Sequence, residues 1–104
     1  MIPSLRGWHN KYGSQGFTVI ANHYPEFEYE SDLGLLQQAV RELNVTYPVV
    51  QDNEGLIWRA YDNRYWPTQY LIDKWGNIRY MHIGEGGDHE TESVIQALLG
   101  EPYP

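Results

Sequence analysis

The stretch that decides the fold is Tyr65-Trp66-Pro67-Thr68-Gln69-Tyr70-Leu71-Ile72-Asp73, which leads through Lys74-Trp75-Gly76-Asn77 into Ile78-Arg79-Tyr80-Met81-His82-Ile83. Residues 68–73 and 78–83 are rich in the β-branched and aromatic side chains that favour strands. The turn-forming residues between them have the length of a hairpin loop, and Pro67 stands just before the first strand. The pattern therefore predicts two antiparallel strands.

Helical and strand patterns alternate on either side of this hairpin. Apolar residues at helical spacing open the chain at Ile2, Leu5, Trp8 and Tyr12, and Phe17–Asn22 has the pattern of a strand buried on both faces. The remaining predicted elements are a loop at Tyr24–Glu30, a helix from Ser31 or Asp32 to Asn44, a strand at Tyr47–Gln51, a short helix from Asp52 to Tyr61, and a last helix from Asp88 or His89 to Gly100. The order α-β-α-β-α-β-β-α predicts one α/β domain over residues 1–104, in which helices flank a mixed sheet.

The composition of the sequence argues against some classes of partner for this domain. Fourteen acidic residues against seven basic ones give a formal net charge of -7, which repels phosphate backbones and anionic membrane surfaces. The sequence has no apolar run of about 18 residues that would span a membrane, and residues 1–10 lack the pattern of a signal peptide. We therefore expect no nucleic acid partner and no membrane span in this chain.

No group of residues carries the pattern of a catalytic or metal site. The sequence has no cysteine, which excludes disulfides, thiolate chemistry and cysteine-ligated metals within it. The four histidines lack metal-ligand spacing, the Gly84–Gly87 loop lacks the lysine and hydroxyl of a phosphate loop, and the serines lack a nucleophile-elbow context. We expect no catalytic residue, no metal and no cofactor in these 104 residues.

Several motifs together carry a resemblance to a known family. They are Tyr47-Pro48-Val49, then Trp58-x-Ala60-Tyr61-x-Asn63-x-Tyr65-Trp66-Pro67-x-x-Tyr70-Leu71-Ile72-Asp73, then Gly76-x-Ile78-Arg79 and Gly84-Glu85-Gly86. This pattern resembles the redoxin branch of the thioredoxin superfamily, which includes TlpA-like proteins and the thioredoxin-like domains of membrane electron-transfer proteins. The opening Pro3-x-Leu5-x-x-Trp8-x-x-Lys11-Tyr12 is similar to the helix that follows the active site in that family. The resemblance covers nearly the whole chain and implies a thioredoxin-like fold.

The resemblance implies a domain of a thiol-disulfide oxidoreductase. In that family a Cys-x-x-Cys motif and a core strand come before the helix in which Pro3 lies, and this sequence contains neither. The missing core strand would lie between the strands at Phe17–Asn22 and Thr68–Asp73. We therefore expect an N-terminally truncated domain that is redox-inactive as this cysteine-free chain, although the family itself is enzymatic.

The alternative is a cysteine-free, non-catalytic thioredoxin-like module that binds a peptide or supports assembly. An in-frame Cys-x-x-Cys in the DNA upstream of Met1 would favour the oxidoreductase, and a genuine translation start at Met1 would favour the module. The resemblance further implies the extracytoplasmic, periplasmic side of a bacterial membrane as the favoured location.

The resemblance also implies a binding groove at the superfamily's cis-proline, which corresponds to Trp66-Pro67. The expected substrate-binding residues are Tyr65, Trp66, Pro67 and Thr68, and their partner would be an extended protein or peptide. The absent strand would leave two sheet edges unpaired, and each buried backbone group without a partner costs about 1–3 kcal/mol. Strand exchange, dimerisation or closure of the gap would each remove this cost, and we expect a homodimer or a strand-exchanged oligomer.

Overall fold

The computed structural model of the protein describes residues 2–25 and 31–103. The predicted loop at Tyr24–Glu30 lies outside the described residues from position 26 onward. The elements are α1 (Ile2–Tyr12), a 3-10 turn (Gly13–Gln15), β1 (Ala21–His23), α2 (Leu33–Glu42), β2 (Val49–Gln51), α3 (Leu56–Ala60), β3 (Thr68–Ile72), β4 (Ile78–Ile83) and α4 (Asp88–Leu99). Their order is the predicted α-β-α-β-α-β-β-α, which confirms the α/β class.

The strands form two separate pairs. β1 and β2 are parallel, with Ala21 opposite Val49 and His23 opposite Gln51. β3 and β4 form the predicted antiparallel hairpin, with a bulge after Leu71. Within residues 2–25 and 31–103, no ladder joins β1 to β3, so the sheet is divided into a parallel half and an antiparallel half.

The strand predicted at Phe17–Asn22 is shorter and less buried than its sequence indicates. β1 begins only at Ala21, and Val19 is buried while 65% of the Ile20 surface is exposed. The prediction of a strand buried on both faces is therefore wrong for Ile20. The physical reason is that β1 has a neighbouring strand on the β2 side alone, and its other edge borders a cleft.

Aspartate carboxylates accept backbone amide hydrogens at the start of two helices. The Asp32 carboxylate accepts a hydrogen bond from the Leu35 amide at 3.0 Å and begins α2, as the sequence predicts. α3 begins at Leu56 rather than at Asp52, because residues 52–55 form a turn that the Gly55 amide closes by donating to the Asp52 carbonyl at 3.0 Å. The buried Asp52 carboxylate accepts the amide hydrogens of Ile57 and Trp58, so it satisfies donors of α3 from a position before the helix.

The core lies where α1 crosses α4. Trp8, Tyr12 and Ile95 are buried together, and partly buried apolar side chains pack against them: Leu5, Phe17, Leu71 and Leu99. Tyr80 of β4 and Thr91 of α4 join the hairpin to the same helix through a 3.2 Å hydroxyl contact. These contacts fix α1 and α4 on one side of the β3–β4 hairpin.

Candidate functional site

The four predicted site residues lie together in the segment between α3 and β3. Tyr65 and Trp66 present 57% and 45% of their surfaces to solvent, while Pro67 and Thr68 are half-buried. The Thr68 hydroxyl donates to the Tyr65 carbonyl at 2.7 Å, and the Gly84 amide donates to the Pro67 carbonyl at 2.8 Å. The Trp66–Pro67 peptide bond is cis, the isomer that the resemblance implies.

An aromatic cluster of Tyr24, Trp58 and Trp66 forms one wall of this groove. The Tyr24 and Trp66 rings are stacked, 8° from parallel with centroids 5.9 Å apart, and the Trp58 and Trp66 centroids are 4.2 Å apart. The Trp66 indole N–H donates to the Tyr24 carbonyl at 3.1 Å, which fixes the ring orientation. Tyr24 and Trp58 are not among the site residues predicted from the sequence, although Trp58 begins the longest motif of the family resemblance.

A second aromatic pair continues the groove toward β3. The Tyr61 and Tyr70 rings are tilted at 50° with centroids 5.1 Å apart, and the Tyr70 hydroxyl donates to the Asn63 side-chain oxygen at 2.6 Å. Burial raises the pKa of Tyr70, and the negative charge of Asp62 raises it further. Tyr70 is therefore a neutral hydrogen-bond donor at neutral pH.

The groove opens into a larger cavity of about 780 Å³, which we call the β1–β3 cleft. Its walls come from residues 16–22 and 65–74, together with side chains of α1, α3 and α4. The charged side chains that line it are Asp73 and Lys74. Most of the lining is apolar or aromatic, so the cleft favours an apolar occupant.

Both charged residues of the β1–β3 cleft have partners within the chain. The Lys74 ammonium donates to the carbonyls of Leu99 and Glu101 at 3.0 and 2.6 Å. Asp73 accepts hydrogen bonds from the amides of Asn77 and Trp75 and from the Arg79 guanidinium. The hydrogen bond from the Asn77 amide is the main cause that holds the pKa of Asp73 below its usual range. Burial acts in the opposite direction, and the hydrogen bond from Arg79 lowers the pKa further. These charges stabilise the hairpin and α4 rather than serving as free ligands.

Neither a metal centre nor a spanning helix is found in the part of the chain that the structure describes. Over residues 2–25 and 31–103, no three His, Asp or Glu side chains are grouped closely enough to hold a metal ion. In the same residues, no helix has both the length and the apolar character needed to cross a membrane. The prediction that the whole chain takes no metal or cofactor stays a prediction.

The fold and the groove define a thioredoxin-like domain. A crystal structure of a thioredoxin-like superfamily protein superposes on this chain with a TM-score of 0.89, at 27% identity, covering 99% of this chain and 71% of that one. The thiol-disulfide oxidoreductase YkuV of Bacillus subtilis is 29% identical over 96% of this chain and 67% of its own length. No protein-family model matches the sequence.

The chain belongs to the thioredoxin-like superfamily and is similar in sequence to a thiol-disulfide oxidoreductase. The protein DipZ of Mycobacterium bovis is 38% identical over 99% of this chain. The chain spans 15% of the length of that relative. The thioredoxin-like fold predicted from the sequence is thereby confirmed.

Proposed function

We propose that these residues form the polypeptide-binding part of a thiol-disulfide oxidoreductase domain, and that the 104-residue chain does not itself exchange disulfides. One observation carries the proposal: a thioredoxin-like fold exposes an aromatic groove at Tyr65–Thr68 in a sequence that has no cysteine. Disulfide exchange begins with attack by a thiolate, and no side chain of this sequence provides one. Binding of polypeptide therefore remains as the activity of this chain.

The groove offers an extended polypeptide two kinds of contact. Tyr65 and Trp66 supply large, exposed and partly polar aromatic surfaces, which gain free energy when a side chain of the partner covers them. Thr68 begins β3. The backbone groups on the edge of β3 that faces away from β4 can form main-chain hydrogen bonds with an extended partner. Pro67 carries no amide hydrogen and fixes the direction of the backbone between these two contacts.

The alternative function is a non-catalytic module that uses the same groove to hold a peptide or to support assembly. The exposed Tyr65 and Trp66 side chains support this alternative, because binding through them requires no cysteine. The oxidoreductase and the non-catalytic module would use the same groove and differ in what the gene encodes. An oxidoreductase needs a Cys-x-x-Cys encoded in frame with these residues. Sequencing the DNA upstream of the Met1 codon separates the two functions: an in-frame Cys-x-x-Cys supports the oxidoreductase, and a genuine translation start at Met1, with its ribosome-binding site, supports the module.

The redox part of the proposal is tested with purified chain in an insulin-disulfide reduction assay. We expect no turnover above that of dithiothreitol alone, because dithiothreitol would be the only thiol present. Turnover that rises with the concentration of the chain would contradict the proposal.

A further inference from the structure

The outer edge of β2 is open, because among residues 2–25 and 31–103 this strand pairs with β1 alone. The Pro48 carbonyl accepts a hydrogen bond from β1 at 2.9 Å, and the Asp52 amide donates one to β1 at 2.8 Å. In a parallel pair, the backbone groups of alternate residues point toward the neighbouring strand. The residues at positions 48, 50 and 52 therefore face β1, and the amide and carbonyl groups of Val49 and Gln51 point outward.

A groove of about 460 Å³, which we call the α2–β2 groove, lies beside these two residues. One wall consists of apolar side chains of α2, namely Leu33, Leu36 and Val40, and the other wall includes Val49 and Gln51. None of the described residues of α2 is buried, so this apolar wall stays partly exposed. Because successive side chains of a strand point to opposite faces, a strand added beside β2 would place every second side chain against α2.

The charged side chain that lines the α2–β2 groove is Arg41. None of the ion pairs within residues 2–25 and 31–103 includes Arg41, and its neighbour Glu42 accepts a hydrogen bond from Gln38 at 2.9 Å. An unpaired guanidinium favours a carboxylate, which it can bind through two parallel hydrogen bonds. The net charge of -7 opposes an acidic partner at long range, but salt at about 0.1 M screens this repulsion beyond about 10 Å. The groove therefore favours an apolar segment that carries a single carboxylate.

We propose that the α2–β2 groove docks an extended segment of a partner protein, which adds a strand to the outer edge of β2 and places a carboxylate against Arg41. The open amide and carbonyl groups of Val49 and Gln51 favour polypeptide over a lipid or a small carboxylic acid, because a polypeptide supplies matching groups at strand spacing. The apolar wall of α2 favours an aliphatic side chain two residues from the acid. The inference goes beyond the proposed function, because the lining of this groove shares no residue with the Tyr65–Thr68 segment.

The probe is a synthetic heptapeptide in which threonine alternates with valine, leucine and glutamate, and the readouts are calorimetry and amide hydrogen exchange. We expect a one-to-one complex in which the amides of Val49 and Gln51 become protected. Two N-methylated versions of the peptide, one for each of its edges, should differ at least about tenfold in affinity, because one edge faces β2 and the other faces solvent. Equal affinities of the two methylated peptides, or protection confined to other strands, would overturn the proposal.

Two leucines of α2 test the position of the segment within the protein. Leu33 and Leu35 present 53% and 51% of their surfaces to solvent, but only Leu33 lines the α2–β2 groove. Leu33→Ser should weaken peptide binding roughly tenfold, and Leu35→Ser should leave it unchanged. Equal effects of the two substitutions would contradict the assignment, and urea denaturation of each free variant checks that it is folded.

A charge exchange tests the predicted carboxylate contact. Arg41→Glu should weaken binding of the glutamate peptide at least about tenfold, and a peptide with lysine in place of glutamate should bind Arg41→Glu more tightly than the wild-type chain. Arg41→Gln places no acid at the C-terminal end of α2 and should weaken binding in the same direction, which covers the case in which Arg41→Glu destabilises the helix. Binding of the lysine peptide that does not respond to the charge at position 41 would contradict the proposal.

Arg64→Glu is the matched control for the change in net charge. Arg64 is exposed, lies outside the α2–β2 groove and has an ion pair of 3.8 Å with Asp62. We expect Arg64→Glu to leave binding of the glutamate peptide unchanged. A loss of binding equal to that of Arg41→Glu would place the peptide elsewhere and would reject this inference, while the proposed function at Tyr65–Thr68 would stand.

A second copy of the chain is the competing occupant of the α2–β2 groove. Protection of the Val49 and Gln51 amides that rises with protein concentration in the absence of peptide would overturn the proposal in favour of self-association. Protection that appears with the peptide, and that Arg41→Glu abolishes, is the expected result.

Discussion

The Tyr12 hydroxyl of α1 donates a 2.6 Å hydrogen bond to the Glu92 carboxylate of α4. The same carboxylate accepts the Trp8 indole N–H at 3.1 Å and the Lys11 ammonium at 3.0 Å. Three donors from one face of α1 therefore converge on a single side chain of α4. These hydrogen bonds lower the pKa of Glu92 to about 2. The hydrogen bond from Tyr12 has the largest effect, followed by those from Lys11 and Trp8.

This arrangement predicts a loss of stability in acid. The pKa of Glu92 lies below its ordinary value of 4.5, so its contribution is fully present above that pH and is lost as the pH falls toward about 2. Glu92→Gln should lower stability at pH 7 and flatten the dependence of the free energy of unfolding on pH between about 5 and 2. Urea denaturation at a series of pH values measures this, with Glu90→Gln on the same helix as the control. A Glu92→Gln variant that keeps the full acid dependence would contradict the assignment.

We expect the hydrogen bonds of the Asp52 carboxylate to stabilise the fold as well. It accepts the Trp58 amide at 2.9 Å, the Asn22 side-chain amide at 3.2 Å and the Ile57 amide at 3.3 Å, so it joins the start of α3 to β1. Burial opposes ionisation of Asp52 and by itself would raise its pKa. The hydrogen bonds to the carboxylate, of which that from the Trp58 amide is the strongest, outweigh burial and lower the pKa of Asp52.

Removing this carboxylate leaves three donors without their acceptor. Asp52→Ala should lower the thermal midpoint by roughly 5 °C or more and should perturb Trp58 fluorescence. Glu54→Ala is the matched control, because Glu54 is an exposed acidic residue two positions further along the chain. Similar midpoints for the two variants would mean that Asp52 does not anchor α3.

The unpaired edges of the β1–β3 cleft predict that free chain associates with itself. Exposed strand edges and apolar residues such as Ile20 recruit other strands, and in a solution of pure protein these come from another copy. Light scattering at micromolar concentration should give at least twice the mass of 12.2 kDa. Ile20→Lys should reduce the dimer fraction, while Ile83→Lys should not. A wild-type chain that stays monomeric at these concentrations would contradict this prediction.

The sequence predicts the elements of this fold better than the environment of the site. The β3–β4 hairpin and the Asp32 cap of α2 depend on residues close together in the chain, so local patterns are sufficient to predict them. The contact between Tyr24 and Trp66 joins residues 42 positions apart, and no local pattern indicates such a contact. The exposure of Ile20 depends on which strand lies beside β1, and its apolar sequence alone indicates the opposite.

Calorimetric titration with carbamidomethylated insulin B chain measures whether the groove at Trp66 binds extended polypeptide. Trp66→Ala removes a ring that contacts both Tyr24 and Trp58, and we expect it to weaken binding about tenfold or more. Trp75→Ala is the matched control, because Trp75 is 65% exposed in the β3–β4 turn and lies outside the groove and the cleft. Tenfold weaker binding for Trp66→Ala with unchanged binding for Trp75→Ala is the predicted result. Equal affinities for both variants and the wild-type chain, or no binding by the wild-type chain, would contradict the account.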